Sequence, residues 1–285
     1  MFLLEPNPTP YDLQWRMFGI SVRVHPMFWL VSALMGWNSL ELGFEYLLVW
    51  VVCVFVSILI HELGHVWMGL SFGSHGHIVL YGFGGLAIGS NHLDKRWQRI
   101  AVCFAGPLAG FLLLGILFLM LGLRDPEVFS AYLGMAKLDM GLPVDPDTIR
   151  PLIVQMMQNR MEFFIIEQLI FINLMWGLVN LLPIWPLDGG QISRDVCEGV
   201  NRDRGLTWAL GISLVLAGIL ALHCVLAMNG RPLIPFLRFG STYSALLFGV
   251  LALQSFLMLQ QSHSQRRWMD DHWDRGDRWD RGDWR

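Results

Sequence analysis

The chain has little charge. Asp, Glu, Lys and Arg make up 15% of its 285 residues, against 54% hydrophobic. That balance is too apolar for an ordinary soluble domain and fits a polytopic membrane protein. It has no basic excess: the net charge is -3, so no nucleic-acid partner is indicated. Cysteine is scarce, and Cys53, Cys103, Cys197 and Cys224 form no CxxC pair. This excludes a thiolate zinc site and a disulfide framework. Three of the four sit in apolar runs and read as small buried residues. The N-terminus, MFLLEPNPTPYDLQWR, lacks a basic stretch followed by an apolar one, so no cleaved signal peptide is expected.

What the chain does have is long apolar runs. A bilayer span needs roughly 20 such residues. Ile100–Leu121, Leu206–Met228, Phe239–Gln260 and Gln168–Leu187 are free of Asp, Glu, Lys and Arg. Tyr46–Ile60 becomes a full span if its helix continues through HELGH. Val24–Leu40 is either a tilted span or an interfacial helix. The expected fold is therefore all-α and polytopic, with about six transmembrane helices. Lys and Arg collect on the cytoplasmic side. With the N-terminus inside, Arg16, Arg23, Lys95, Arg96, Arg99, Arg194, Arg202 and Arg204 face the cytoplasm, outnumbering the basic residues outside. Both termini are then cytoplasmic. The second and fourth spans run inward, which brings HELGH and NLLPIWPLDGG to one depth.

Inside SILIHELGHVWMG, His61 and His65 are four residues apart, so a helix puts both imidazoles on one face, able to hold one ion. Glu62 is rotated by about 100°, where a general base would stand beside the metal. HExxH is the zinc-metalloprotease spacing. Ionisable residues within a membrane are functional candidates by default. A catalytic zinc takes three protein ligands and keeps a position open. Asp188 is the candidate for the third. Pro183 and Pro186 break the helix before it, and Gly189-Gly190 let the backbone turn it toward the second span.

HELGH in an apolar helix, followed by Asn180-Leu-Leu-Pro183-Ile-Trp-Pro-Leu-Asp188-Gly189, resembles the site-2 protease family of intramembrane zinc metalloproteases. FGISVRVHPMFWL resembles the segment before the first span of compact members, GHIVLYGFGGLAIG their membrane-associated β-hairpin, and AGPLAG their third-span kink. The likeness covers about residues 18–260. It implies one zinc held by His61, His65 and Asp188, Glu62 as base, Asn180 near the substrate, and transmembrane protein substrates. No PDZ-like insertion or CBS-type domain is recognisable, so the chain looks like a compact core. A metal transporter and a catalytically inactive scaffold are the competing functions. The expected partners are a transmembrane protein substrate and the lipid bilayer, read as a bacterial plasma membrane; a homo-oligomer stays open.

Several polar residues read as ordinary. His75, His77 and His92 are loop residues that could otherwise bind a second metal. His25 is structural. His223 lies roughly 25 Å along the fifth span at 1.5 Å per residue, too far out to be a ligand. Asn173 and Asn180 share a helix face; Asn173 reads as bonding to neighbouring helices. The hairpin, Ile78–Tyr81 and Leu86–Ile88 about a Gly-rich turn, is either an edge for an extended substrate strand or a membrane anchor. Residues 1–262 form the predicted protease domain. His263–Arg285 balances Arg against Asp, repeats WDRGD, and reads as a disordered tail.

Overall fold

The computed structural model describes residues 6–82, 84–91, 93–234 and 240–279; in the last helix, side chains are described through 262 and at 264. The chain begins with a hairpin of β1 (Leu13–Met17) and β2 (Ile20–Val24). Phe18 and Gly19 both have positive φ, 52° and 80°. That pair of conformations makes the two-residue turn whose twist suits antiparallel strands. β2 then pairs in parallel with β3 (His77–Tyr81), which returns as β4 (Gly84–Ile88). The sheet order is β1-β2-β3-β4. The expected hairpin is thus half of a four-stranded sheet. Val22, Val24, Ile78 and Leu80 are fully buried in a core shared with Phe28, Ile58, Leu63 and Val66. Each such side chain contributes about 1.5–3 kcal/mol by burial.

Parallel strands need a long crossover. Between β2 and β3 it consists of α1 (Pro26–Met35), a 3₁₀ turn (Trp37–Glu41) and α2 (Phe44–Ser71). Here the structure departs from the expected first span. Val24 ends a strand, α1 has only 10 residues, and Gly36 closes it. Trp50 occupies the space a side chain at Gly36 would need, and its Nε1 donates to Ser32 O at 2.9 Å. Among the described residues, five helices are long and apolar enough to cross a membrane: α2, α3 (Arg96–Arg124), α6 (Arg160–Asn180), α8 (Gly205–Met228) and the Thr242–Ser262 part of α9 (Thr242–Trp279). The expected run Gln168–Leu187 is displaced toward the N-terminus, because Pro183 and Pro186 cannot continue α6. Phe239, the expected start of the last span, lies outside the described residues.

The long connection between α3 and α6 is helical too. α4 (Pro126–Asp139) and α5 (Pro146–Gln158) each start with proline at the first position, behind the caps Asp125 and Asp145. α7 (Asp188–Val200) follows the proline-rich turn. α9 runs to Trp279.

Inside the bundle α2 and α3 come very close. A Cβ on Gly64 would run into Ala105 O and lie 2.8 Å from Ala109 Cβ. Small residues permit such approach between membrane helices. Asn173 on α6 donates to Ser57 Oγ on α2 at 2.9 Å, tying a third helix to this pair.

Candidate metal centre

α2 carries His61, Glu62 and His65 into the interior, where they are 4%, 5% and 7% exposed. The two imidazoles meet edge to face with centroids 4.8 Å apart. His65 Nδ1 lies 2.7 Å from Val102 O on α3. A proton there donates to that carbonyl, and Nε2 then faces His61 Nε2 at 3.2 Å. Asp188, the first residue of α7, places Oδ2 3.1 Å from His61 Nε2 and 3.3 Å from His65 Nε2. One atom from each of these three side chains lies within 4.8 Å of the others.

Local backbone explains how Asp188 arrives. A Cβ on Gly189 would collide with the Leu181 and Leu182 carbonyls, and one on Gly190 would stand 2.6 Å from Trp185 N. The α7 N-terminus therefore packs directly on the turn that ends α6, which only glycine allows.

The residues suit a zinc ion. Two imidazole nitrogens and one carboxylate are a zinc donor set that leaves a fourth position open. Gly106 on α3 provides space beside them: a Cβ there would strike the His65 ring and come within 2.8 Å of His61 Nε2. Glu62 lies outside the three-residue group. Its side chain rests against β4, where a Cβ on Gly85 would meet Oε1 at 2.6 Å, and the Ala87 backbone N–H bonds to its carboxylate. The carboxylate is thus held beside the three donors and under a strand edge.

Other residues stay apart. Asn180 is buried and donates to Trp176 O at 3.0 Å within its own helix. His75 is exposed, His77 begins β3, and neither joins the three-residue group. His92 lies outside the described residues. His223 is buried in α8 and accepts from Ile234 N at 3.2 Å. His25 accepts from Met27 N at 3.1 Å as the α1 cap. Motif reading passed over Val102, Gly106, Gly85 and Ala87. AGPLAG contained one signal, a glycine one residue before Pro107 in an apolar helix.

The profile of peptidase family M50 matches residues 49–222, from α2 through most of α8. The chain belongs to this family, the site-2 proteases. The M50 match contains HELGH and Asp188. A putative zinc metalloprotease of Synechocystis is 28% identical over 67% of this chain and 45% of its own length. A zinc metalloprotease of Methanocaldococcus jannaschii is 26% identical over 75% and 54%. Stage IV sporulation protein FB of Bacillus subtilis is 29% identical over 63% and 48%. This M50 chain thus spans about half the length of the curated relatives it matches. The solved site-2 protease from Methanocaldococcus jannaschii shares the fold at TM-score 0.50 and 22% identity, covering 87% of this chain and 94% of that one.

Proposed function

We propose that this chain is an intramembrane zinc endopeptidase that cuts a membrane-anchored protein near the cytoplasmic face. The observation that carries the reading is the meeting of His61, His65 and Asp188 in a buried cluster, with Glu62 alongside. His61, His65 and Asp188 hold the ion. Zinc held there would supply Lewis acidity toward the scissile carbonyl and a more acidic water. Glu62 accepts the proton of the attacking water and passes it to the departing amine. Gly85 and Ala87 lie on β4 at the sheet edge beside Glu62, so an extended substrate segment can add to that edge and bring its peptide bond to the base. A helical substrate must unwind first, since its peptide groups are engaged in i→i−4 bonds. Asn180, at the end of α6, is assigned to the substrate side.

β2 and β3 are hydrogen-bonded neighbours, so the chain between them leaves and returns to one membrane face. α2 makes one crossing; α1 with the 3₁₀ turn makes the other, giving six. Both termini then lie in the cytoplasm, in our reading of a bacterial plasma membrane. Residues 263–285 are a tail separable from the core.

The test pairs zinc content with cleavage of a membrane-anchored reporter. Glu62→Gln should keep about one zinc per chain and lose 10²–10⁴-fold in rate, roughly the contribution of a general base. Asp188→Asn should lose both, with metal partly restored at high zinc. Zinc lost from Glu62→Gln but held tightly by Asp188→Asn would reverse the assignment.

A further inference from the structure

α7 meets α3 along one stripe of each helix. On α3 the stripe runs Arg99, Val102–Cys103 and Gly106; on α7 it runs Asp188, Gln191 and Asp195. Steps of three and four residues keep each set on one helix face. Contact occurs at three levels. At one end Asp195 Oδ1 accepts from Arg99 Nη2, and from Arg99 Nε at 2.9 Å. In the middle Gln191 Oε1 lies 3.8 Å from Cys103 Sγ. At the other end Asp188 faces His61 and His65 over Gly106, and His65 is itself tied to Val102 O.

The Arg99 guanidinium is fixed on its other side. Its Nη1 donates to Leu93 O at 3.1 Å and Asp94 O at 3.2 Å, in the loop before α3. Asp195 is 6% exposed, and Arg99 is its hydrogen-bonding partner among the described residues. Arg96 Nη2 reaches Glu198 O one turn further along α7. At the metal end, by contrast, the α7 cap residue Leu187 makes no side-chain capping bond. Asp188 sits at the start of a 13-residue helix whose rotation about its axis decides where the carboxylate points. Asp195 is about 10 Å along that helix, nearly two full turns away, so it faces the same way.

We propose that Arg99 and Asp195 are positioning residues. Their ion pair fixes the rotation of α7 against α3 and thereby holds Asp188 at the metal. The proposal rests on reading His61, His65 and Asp188 as a zinc site. An ion pair of this kind adds little to overall stability when partly exposed, but pairs that fix register act on geometry. Arg supplies a planar fork that Lys does not reproduce.

The experiment uses the full chain in nanodiscs, with zinc affinity read by chelator competition. Amide exchange at residues 188–191 is followed in metal-free protein, alongside melting temperature. Arg99→Gln and Asp195→Asn should weaken zinc binding about 10–100-fold, the usual effect of losing a residue that orients a ligand. Exchange at 188–191 should quicken in both, and Arg99→Lys should recover part of each loss. Leu114→Ala, a buried change at the far end of α3, should lower melting temperature with neither effect. Unchanged affinity and exchange in Arg99→Gln and Asp195→Asn would overturn the proposal. So would an equal affinity loss in Leu114→Ala. If His61→Ala binds zinc as the unaltered chain does while exchange at 188–191 still responds to Arg99→Gln, the zinc reading falls and the tie between α3 and α7 stands.

Discussion

Gly106 acts through the atom it lacks. A methyl group at this position would occupy the space beside the two imidazole Nε2 atoms. Gly106→Ala should therefore lose zinc affinity by at least about tenfold, the lower end of what disturbing a ligand's orientation costs. The helix itself should not suffer, since alanine is favoured over glycine within helices by about 1 kcal/mol. Gly110→Ala, one turn on, would meet only Asn173 at 3.4 Å or beyond and should keep its zinc. Chelator competition on both variants decides the matter; wild-type affinity in Gly106→Ala would mean that the rings have room to shift. HELGH announces its chemistry because its spacing lies on one helix. Asp188 was legible through the prolines and glycines around it. Val102, Gly106 and Arg99 were not, because their roles arise only where α3 crosses α2 and α7, and such contacts leave no period in the sequence.

At the scale of elements, β4 is the part most closely fitted to Glu62. Gly85→Ala would push a methyl group into the glutamate side chain, while Gly84→Ala would make an ordinary 3.4 Å contact with Trp176. The first should lower the rate of reporter cleavage by about tenfold or more at full zinc content, because misplacing a catalytic group by 1 Å can cost 10²-fold. The second should be close to neutral. Equal rates in the two variants would show that Glu62 does not depend on the strand for its place. The β3–β4 hairpin was readable from β-branched residues around a glycine turn. β1 and β2 are less legible: Ile20-Ser-Val-Arg-Val24 alternates, but it is only five residues long and lies directly before a longer apolar run. That run also concealed the Gly36 break, since apolarity measures length in the membrane and not continuity of a helix.

For the whole molecule, the excess of Lys and Arg predicts that both ends are cytoplasmic. In a variant with its native cysteines replaced, a cysteine at Ser193 on α7 should label only from the cytoplasmic side, and one at Ser130 on α4 only from outside. Labelling of both from the opposite sides would invert the protein and leave the metal cluster at one membrane face. The parallel pairing of β2 with β3 also sets a timetable for biosynthesis. The first hairpin leaves the ribosome with one edge open, and its partner strand emerges only after α1 and α2 have been delivered to the translocon. β4 comes next, Asp188 some hundred residues later. A nascent chain therefore carries HELGH through about 120 further residues before Asp188 is made, and until then it lacks a complete set of metal ligands.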